Sequence, residues 1–425
     1  MTSVFSSAAG RVQAITPPLF ALLALSAAPL EQTSALTALW ATPSILLAAM
    51  LIAWAAESAQ FFIAQGFALA ILAWLQTLPE FAVEFVLAWQ QRVDLLMANL
   101  TGALRLLTGL GWPMIYAVAA FFYRHKHGKP LRRIQLEDQH AVEVIGLLVP
   151  LIYAAFVWWK ASITLVDAFV LIAIYCAYLW VLRRMPPEEE ESIEEMEIIP
   201  RTIIKARPRL RTFVIAALFV AGGALIYFMA EPFLGSLLAV SALLGVPSFV
   251  FVQWVAPLVS EFPEKVSAFY WARTVNRAPM ALMNMVSSNI NQWTLLMAML
   301  PIVYSMSRGR VSMIPLDDRQ QLELLMTIAQ SLIGMIFLVN MELAWWEAAA
   351  LFSLWGVQFA FSPVPPGPGV FGFVATHIHW WVTLAYLAWV VLGLVRMFMG
   401  KRQPEAFRKF AMMWRAHIRP AAGVD

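Results

Sequence analysis

Long apolar stretches, each near the length of a membrane crossing, alternate along the chain with short polar or charged breaks. A bilayer core about 30 Å thick takes about 20 apolar residues of helix. Runs of that order fall at 36–56, 60–90, 94–122, 140–159 and 162–183. A charged break follows, and then runs at 213–230, 234–271, 277–305, 321–340, 343–361 and 375–399. The pattern predicts an all-α polytopic membrane protein with two five-helix halves and an extra C-terminal helix. Its segments are an N-terminal stretch (1–30), a first membrane repeat (31–185), a charged linker (186–211), a second repeat (212–362), the extra transmembrane helix (363–400) and a basic tail (401–425). The run from Pro17 to Ala28 is too short to cross comfortably. Only Arg11 precedes it, and Pro17-Pro18 and Pro29 interrupt it, so it reads as retained rather than as a cleaved signal peptide.

Composition agrees with the pattern. The 425 residues are 61% hydrophobic and 13% charged, with a mean hydropathy of +0.71, whereas soluble domains are about 45–50% apolar and about 25% charged. That excludes an ordinary soluble enzyme, a disordered chain and a disulfide scaffold; the single cysteine, Cys176, allows no internal disulfide. A net charge of +3 is too small to suggest nucleic acid as a partner. The distribution of charge says more. With the loops around Arg124–Arg133, Arg183–Arg211 and Arg273–Arg277 and the tail from Arg396 on one side, 21 of the 29 basic residues lie there. The positive-inside rule makes that side the cytoplasm, so linker and tail are expected to be cytoplasmic. Without a cleavable leader or an organelle address, the expected home is a prokaryotic plasma (inner) membrane. The expected partners are the lipid bilayer and inorganic cations; oligomeric state is not legible. The linker carries seven glutamates between Glu188 and Glu197, then a basic stretch. Such a run reads first as a solvated linker; a cation sensor is the other reading, though it lacks the Asp/Asn/Gly spacing of a calcium loop.

The chemistry lies in two acidic proline motifs at corresponding places. The first half carries Thr77-Leu78-Pro79-Glu80 and then Glu84; the second carries Ser260-Glu261-Phe262-Pro263-Glu264. The next span of each half carries an asparagine early, Asn99 and Asn284, which follow their glutamates by 19 and 20 residues. The motifs lie in the second and seventh spans, an odd offset, so they enter the membrane from opposite sides, as inverted repeats must. A carboxylate inside a bilayer costs several kcal/mol unless it is paired, protonated or bound to a cation. Proline frees the carbonyl four residues earlier, here Leu75 and Val259, and adds an oxygen beside the acid. Ca²⁺ takes about 6–8 oxygen ligands, and Thr77, Ser260, Asn99, Asn284, Ser288 and Asn289 can add neutral ones. On a helix Glu80 and Glu84, and likewise Glu261 and Glu264, share a face.

These signatures resemble the α-repeats of the sodium/calcium exchanger family, the calcium/cation antiporters. The family repeat reads approximately Gly-Thr-Ser-x-Pro-Glu, with Gly-Asn-x-x-Gly-Ser-Asn on the next helix. The second repeat matches best from Asn284 through Ser287-Ser288-Asn289. In the first, Gln76 and Thr77 stand for Thr-Ser, and Ala103-Leu104 replace Ser-Asn. The resemblance implies a secondary active antiporter working by alternating access, without a catalytic site or a resident cofactor, whose substrates are Ca²⁺ or a similar divalent cation against Na⁺ or H⁺. It implies Glu80 and Glu264 as the principal metal carboxylates, Thr77, Ser260 and Ser288 as hydroxyl ligands, and Asn99, Asn284 and Asn289 as polar partners. The residues lost at Ala103 and Leu104 weaken the sodium sites implied around the central one. Four acids cannot all be charged together in a membrane without compensation, which makes Glu84 and Glu261 candidates to carry a counter-transported proton. Arg105 reads either as an internal counter-charge or as a snorkelling side chain.

Other readings stay on the page. A non-transporting sensor or scaffold derived from the same fold is one. An intramembrane protease is another, but it needs a histidine at the depth of the glutamates, and the six histidines read as lying away from the middle of the spans. His377 and His379, at i, i+2, do not share a helix face, and with Trp380-Trp381 they read as an interfacial aromatic belt.

Overall fold

In the computed structural model, residues 33–59, 74–185, 197–365 and 367–418 are described. The short apolar run before residue 31, the start of the second span and most of the glutamate run lie outside them. The first span is α1 (Ala38–Ala59). The second resumes at 74–76, breaks at Thr77, and continues as α2 (Leu78–Trp89). After a tight turn come α3 (Val93–Leu106), a π-helical turn (Leu107–Gly111) and α4 (Trp112–His127), one continuous rod. Strand β1 (Arg133–Gln135), α5 (Ala141–Lys160), β2 (Ser162–Ile163) and α6 (Leu165–Leu182) complete the first half.

The second half repeats the plan. The short helix α7 (Ile198–Ile204) leads into α8 (Pro208–Leu244), so the basic part of the linker is helical. The seventh span is split at Glu261 into α9 (Ser248–Ser260) and α10 (Phe262–Arg273). Then follow α11 (Ala278–Asn291), a π-helical turn (Gln292–Leu296) and α12 (Met297–Ser307). Strand β3 (Ile314–Pro315), α13 (Asp318–Leu338), β4 (Glu342–Ala344), α14 (Trp345–Phe361), α15 (Val370–Phe398) and α16 (Glu405–His417) finish the chain.

The lengths match between halves: α2 and α10 have 12 residues each, α3 and α11 have 14, and each of the latter is followed by a 5-residue π turn. The loop pairings match too. β1 pairs antiparallel with β4, and β2 with β3, so each half contributes one strand to each ribbon.

Seven of the described helical segments are long and apolar enough to cross a membrane, against eleven spans expected. The remaining four differ for physical reasons. The second lies partly outside the described residues; the seventh is broken at its acidic motif; the tenth has 17 residues. The eighth is studded with Asn284, Ser287, Ser288, Asn289, Asn291 and Gln292, all buried. One boundary moves: the expected break near 231–234 is absent, because α8 runs through Glu231-Pro232 and ends only at Gly245, in the left-handed region. At about 1.5 Å per residue its 37 residues outreach a bilayer core. Glu231, exposed on that helix, accepts from Gln90 Nε2 at 3.2 Å, level with the α2–α3 turn.

Candidate cation site

Each acidic motif starts a helix in mid-span. Proline is tolerated in the first turn because its missing N–H would have no partner there, and Pro79 and Pro263 occupy that place in α2 and α10. Glu80 and Glu264 therefore sit in the first turn, where the helix dipole favours negative charge. Thr77 and Glu261 form the two joints. Thr77 Oγ1 donates to Trp74 O at 2.9 Å and accepts from Asn291 Nδ2 at 2.6 Å, a contact between halves. At the other joint the N–H of Glu261 donates to the carbonyl of Pro257 at 3.0 Å.

The two main carboxylates have opposite surroundings. Glu80 accepts from Asn99 Nδ2 on one oxygen and from Ser260 Oγ on the other, so both halves hold it. Asn99 Nδ2 also donates to Glu84 Oε1 at 3.1 Å. Glu264 is buried with the Ser288 hydroxyl beside its carboxylate, but at strict hydrogen-bonding geometry neither of its oxygens has a donor, nor do Glu84 Oε2, Asn99 Oδ1, Asn284 Oδ1 or Ser288 Oγ have a partner. Glu80 and Glu264 have Glu261 and Lys265 as common charged neighbours. Asn284 Nδ2 donates to Gln76 Oε1 at 3.2 Å, and Gln76 Nε2 to Ser267 Oγ at 3.3 Å.

Direct hydrogen bonds thus join Glu80, Glu84, Asn99 and Ser260. Thr77 stands outside that group, bonded to Asn291, whose Oδ1 is buried without a partner. Asn289 turns elsewhere, donating to Met285 O at 3.2 Å and accepting from Thr108 Oγ1 at 3.4 Å. Glu261 is occupied by two residues that sequence reasoning missed: Lys265 Nζ at 2.7 Å from Oε2 and Gln292 Nε2 at 2.7 Å from Oε1. A lysine inside an apolar span was the signal for the first; Gln292 had none beyond its place in a polar span. Among the described residues no three or more His, Cys, Asp or Glu side chains form a group that could hold a metal ion. A cation here would therefore need neutral oxygens as well. Buried polar atoms are almost always hydrogen-bonded, and the orphaned atoms named above are all oxygens, the element that hard cations select.

A protein-family model described as sodium/calcium exchanger protein matches residues 33–183 and 214–363, one match for each half. The chain belongs to the sodium/calcium exchanger family. The family model leaves out α15 and α16. Among solved structures, the crystal structure of the H⁺/Ca²⁺ exchanger CAX is 31% identical, with a TM-score of 0.81 over 94% of this chain and 98% of that one. Two others share the fold at lower identity. Native YfkE is 14% identical, with a TM-score of 0.57 over 81% of this chain and 100% of its own. The sodium-calcium exchanger NCX_Mj is 17% identical, with a TM-score of 0.53 over 77% and 98%. No curated protein matches the chain.

This exchanger also contains a second buried polar cluster. Arg105, fully buried, meets Glu323 Oε2 at 2.5 Å and lies over the Trp254 ring at 5.2 Å from its centroid. Gln253 Nε2 donates to the same Glu323 oxygen at 2.9 Å, and His379 Nδ1 stands 2.6 Å from Oε1. Arg105 thus neither snorkels nor pairs with the four motif glutamates. His379 leaves the expected aromatic belt, because α15 turns its ring toward α13 and against the buried Glu323. Glu323 itself went unmarked in the sequence.

Proposed function

We propose that the chain is a secondary active antiporter exchanging Ca²⁺, or a similar divalent cation, for protons by alternating access. Glu80 and Glu264 act as the principal cation carboxylates. Thr77, Ser260 and Ser288 supply hydroxyl oxygens and Asn99 and Asn284 position and complete the set, while Asn289, bonded to Met285 O and Thr108 Oγ1, supports it from outside. Glu84 carries the returning proton. Among the described residues it has one donor, Asn99, which it shares with Glu80, and its other oxygen is unpartnered, so a cation that recruits Glu80 draws on the same amide. The linker and the basic tail face the cytoplasm of a prokaryotic cell.

The observation that carries this reading is the set of buried oxygens on Glu84, Asn99, Glu264, Asn284 and Ser288 that, among the described residues, have no partner at strict hydrogen-bonding geometry, the Ser288 hydroxyl lying beside Glu264. A divalent cation would satisfy them, and so would protons on the acids; a site that either can fill is what exchange requires. The choice of H⁺ over Na⁺ is supported by the 31% identity to the H⁺/Ca²⁺ exchanger CAX over nearly its whole length, and by the side-chain oxygens missing at Ala103 and Leu104. The test is ⁴⁵Ca²⁺ uptake into proteoliposomes. Vesicles with an acidic lumen are expected to accumulate Ca²⁺, and vesicles loaded with Na⁺ at equal pH are not. Uptake driven by Na⁺ alone rejects proton coupling, and no uptake under either gradient rejects antiport.

A further inference from the structure

The two halves differ at one pair of positions in a way that their overall likeness makes conspicuous. In the second motif Glu261 and Lys265 stand where the first has Thr77 and Phe81, counted from the shared Pro-Glu. A negative and a positive side chain therefore arrive together. They are spaced i, i+4 with the acid first, the order a helix favours, and they meet: Lys265 Nζ is 2.7 Å from Glu261 Oε2, with the acid fully buried and the lysine 7% exposed. The other oxygen of Glu261 accepts from Gln292 Nε2. The side-chain amide oxygen of Gln292, Oε1, is buried without a partner. A carboxylate and a neighbouring amide oxygen, deep in the protein, are what a monovalent metal ion would coordinate. An ammonium already stands on the carboxylate.

We propose that Lys265 is a tethered monovalent cation: its ammonium takes the place beside Glu261 that a soluble Na⁺ or K⁺ would occupy, and it bars those ions from the chamber. The tether is the physical point. A charge on a side chain competes at an effective concentration far above that of a dissolved ion, and its backbone N–H, bonded to Glu261 O at 3.3 Å, fixes the turn that aims it. Glu80 and Glu264, which have no ammonium of their own at hydrogen-bonding distance among the described contacts, stay open to the cargo. This rests on the antiporter reading for the meaning of the chamber, but monovalent binding at Glu261 can be measured without transport.

The experiment follows Na⁺ against choline in two readouts on purified protein: the thermal unfolding midpoint in detergent, which rises when an ion binds the native state, and ²²Na⁺ binding at equilibrium. Wild type is expected to respond to neither. K265M, which keeps Glu261 and removes the ammonium, is expected to bind Na⁺ about tenfold or more tighter than wild type, the scale of deleting one close charge. K265M/E261Q is expected to lose that gain, and K265R to stay unresponsive. Should K265M or K265Q fold in Na⁺ but not in choline, the proposal is supported in the strongest form. Wild-type Na⁺ binding equal to that of K265M, a gain that survives E261Q, or failure of both lysine variants to fold in either medium would overturn it. Absence of ⁴⁵Ca²⁺ flux in wild type, with Na⁺ binding gained in K265M, would sink the transport reading and leave this one standing.

Discussion

Glu80 and Glu264 occupy the same first-turn position in their helices, yet Glu80 has a donor on each oxygen while Glu264 has only the Ser288 hydroxyl beside it. Glutamine at either place keeps the shape and removes the charge. E80Q and E264Q are each expected to bring ⁴⁵Ca²⁺ uptake down to the level of empty vesicles while the protein elutes normally on size exclusion. Retained flux in both would show that the cation binds elsewhere. N99A is the subtler variant. It strips a shared donor from two carboxylates, so it is expected to weaken apparent Ca²⁺ affinity by about 10- to 100-fold, the scale of one hydrogen bond to a charged group, without abolishing exchange. Much of this site was legible in the sequence, because Pro-Glu inside an apolar run is unusual and its spacing to asparagine repeats. Lys265 was legible too, as a lysine inside an apolar span at i, i+4 from Glu261, whereas nothing in the sequence ties Gln292 to Glu261. Glu323 was missed for another reason. The segments Ile134-Gln135-Leu136-Glu137-Asp138 and Ile314-Pro315-Leu316-Asp317-Asp318 lie 180 residues apart, and the same offset relates Glu143 to Glu323. That second repeat was available and went unread. Arg105 offers its test: R105M leaves Glu323 buried with one fewer counter-charge, a change that typically costs about 3–5 kcal/mol, read as a lower unfolding temperature in detergent.

At the scale of the helices, the half-and-half plan followed from span lengths, whereas the boundaries depended on contacts that no local pattern encodes. Glu231-Pro232 looked like a span end because an acid and a proline usually mark one, but proline inside a long, well-packed helix can be accommodated, and α8 carries on. The close approach of α3 to α9 depends on Gly102: a Cβ there would fall 1.9 Å from the carbonyl oxygen of Gln253. That carbonyl is the one that Pro257, four residues on, cannot bond. G102A is therefore expected to push the helices apart and cost about 1–3 kcal/mol, in the range of overpacking, with reduced yield of monodisperse protein as the readout. The C-terminal addition is fastened by Arg402, whose Nη2 reaches Phe337 O, Asn340 Oδ1 and Glu347 Oε1 at 2.7–2.8 Å. R402A is expected to expose the segment around α16 to limited proteolysis while the remainder stays resistant; an unchanged digest would show that other contacts suffice.

For the molecule as a whole, a chamber that either protons or a divalent cation can fill implies competition between them, because binding a metal to a carboxylate requires its deprotonated form. At fixed Ca²⁺, the apparent affinity is expected to fall as the pH on the Ca²⁺-binding side is lowered, and to recover as it is raised. Initial rates of ⁴⁵Ca²⁺ uptake at several external pH values, with the lumen held acidic, check the sign. An affinity independent of pH would argue that proton and metal use separate sites.

The two small ribbons have a mechanical consequence. β1–β4 ties the α4–α5 connection to the α13–α14 connection, and β2–β3 ties the α5–α6 connection to the α12–α13 connection. Since α5 and α13 each run between the two ribbons, the knots lie at opposite ends of those helices. A structure laced at both rims resists tilting of one moiety against the other. Whatever opens the chamber to alternate sides has more freedom among the unlaced rods α1, α2, α8 and α9 than in this corset.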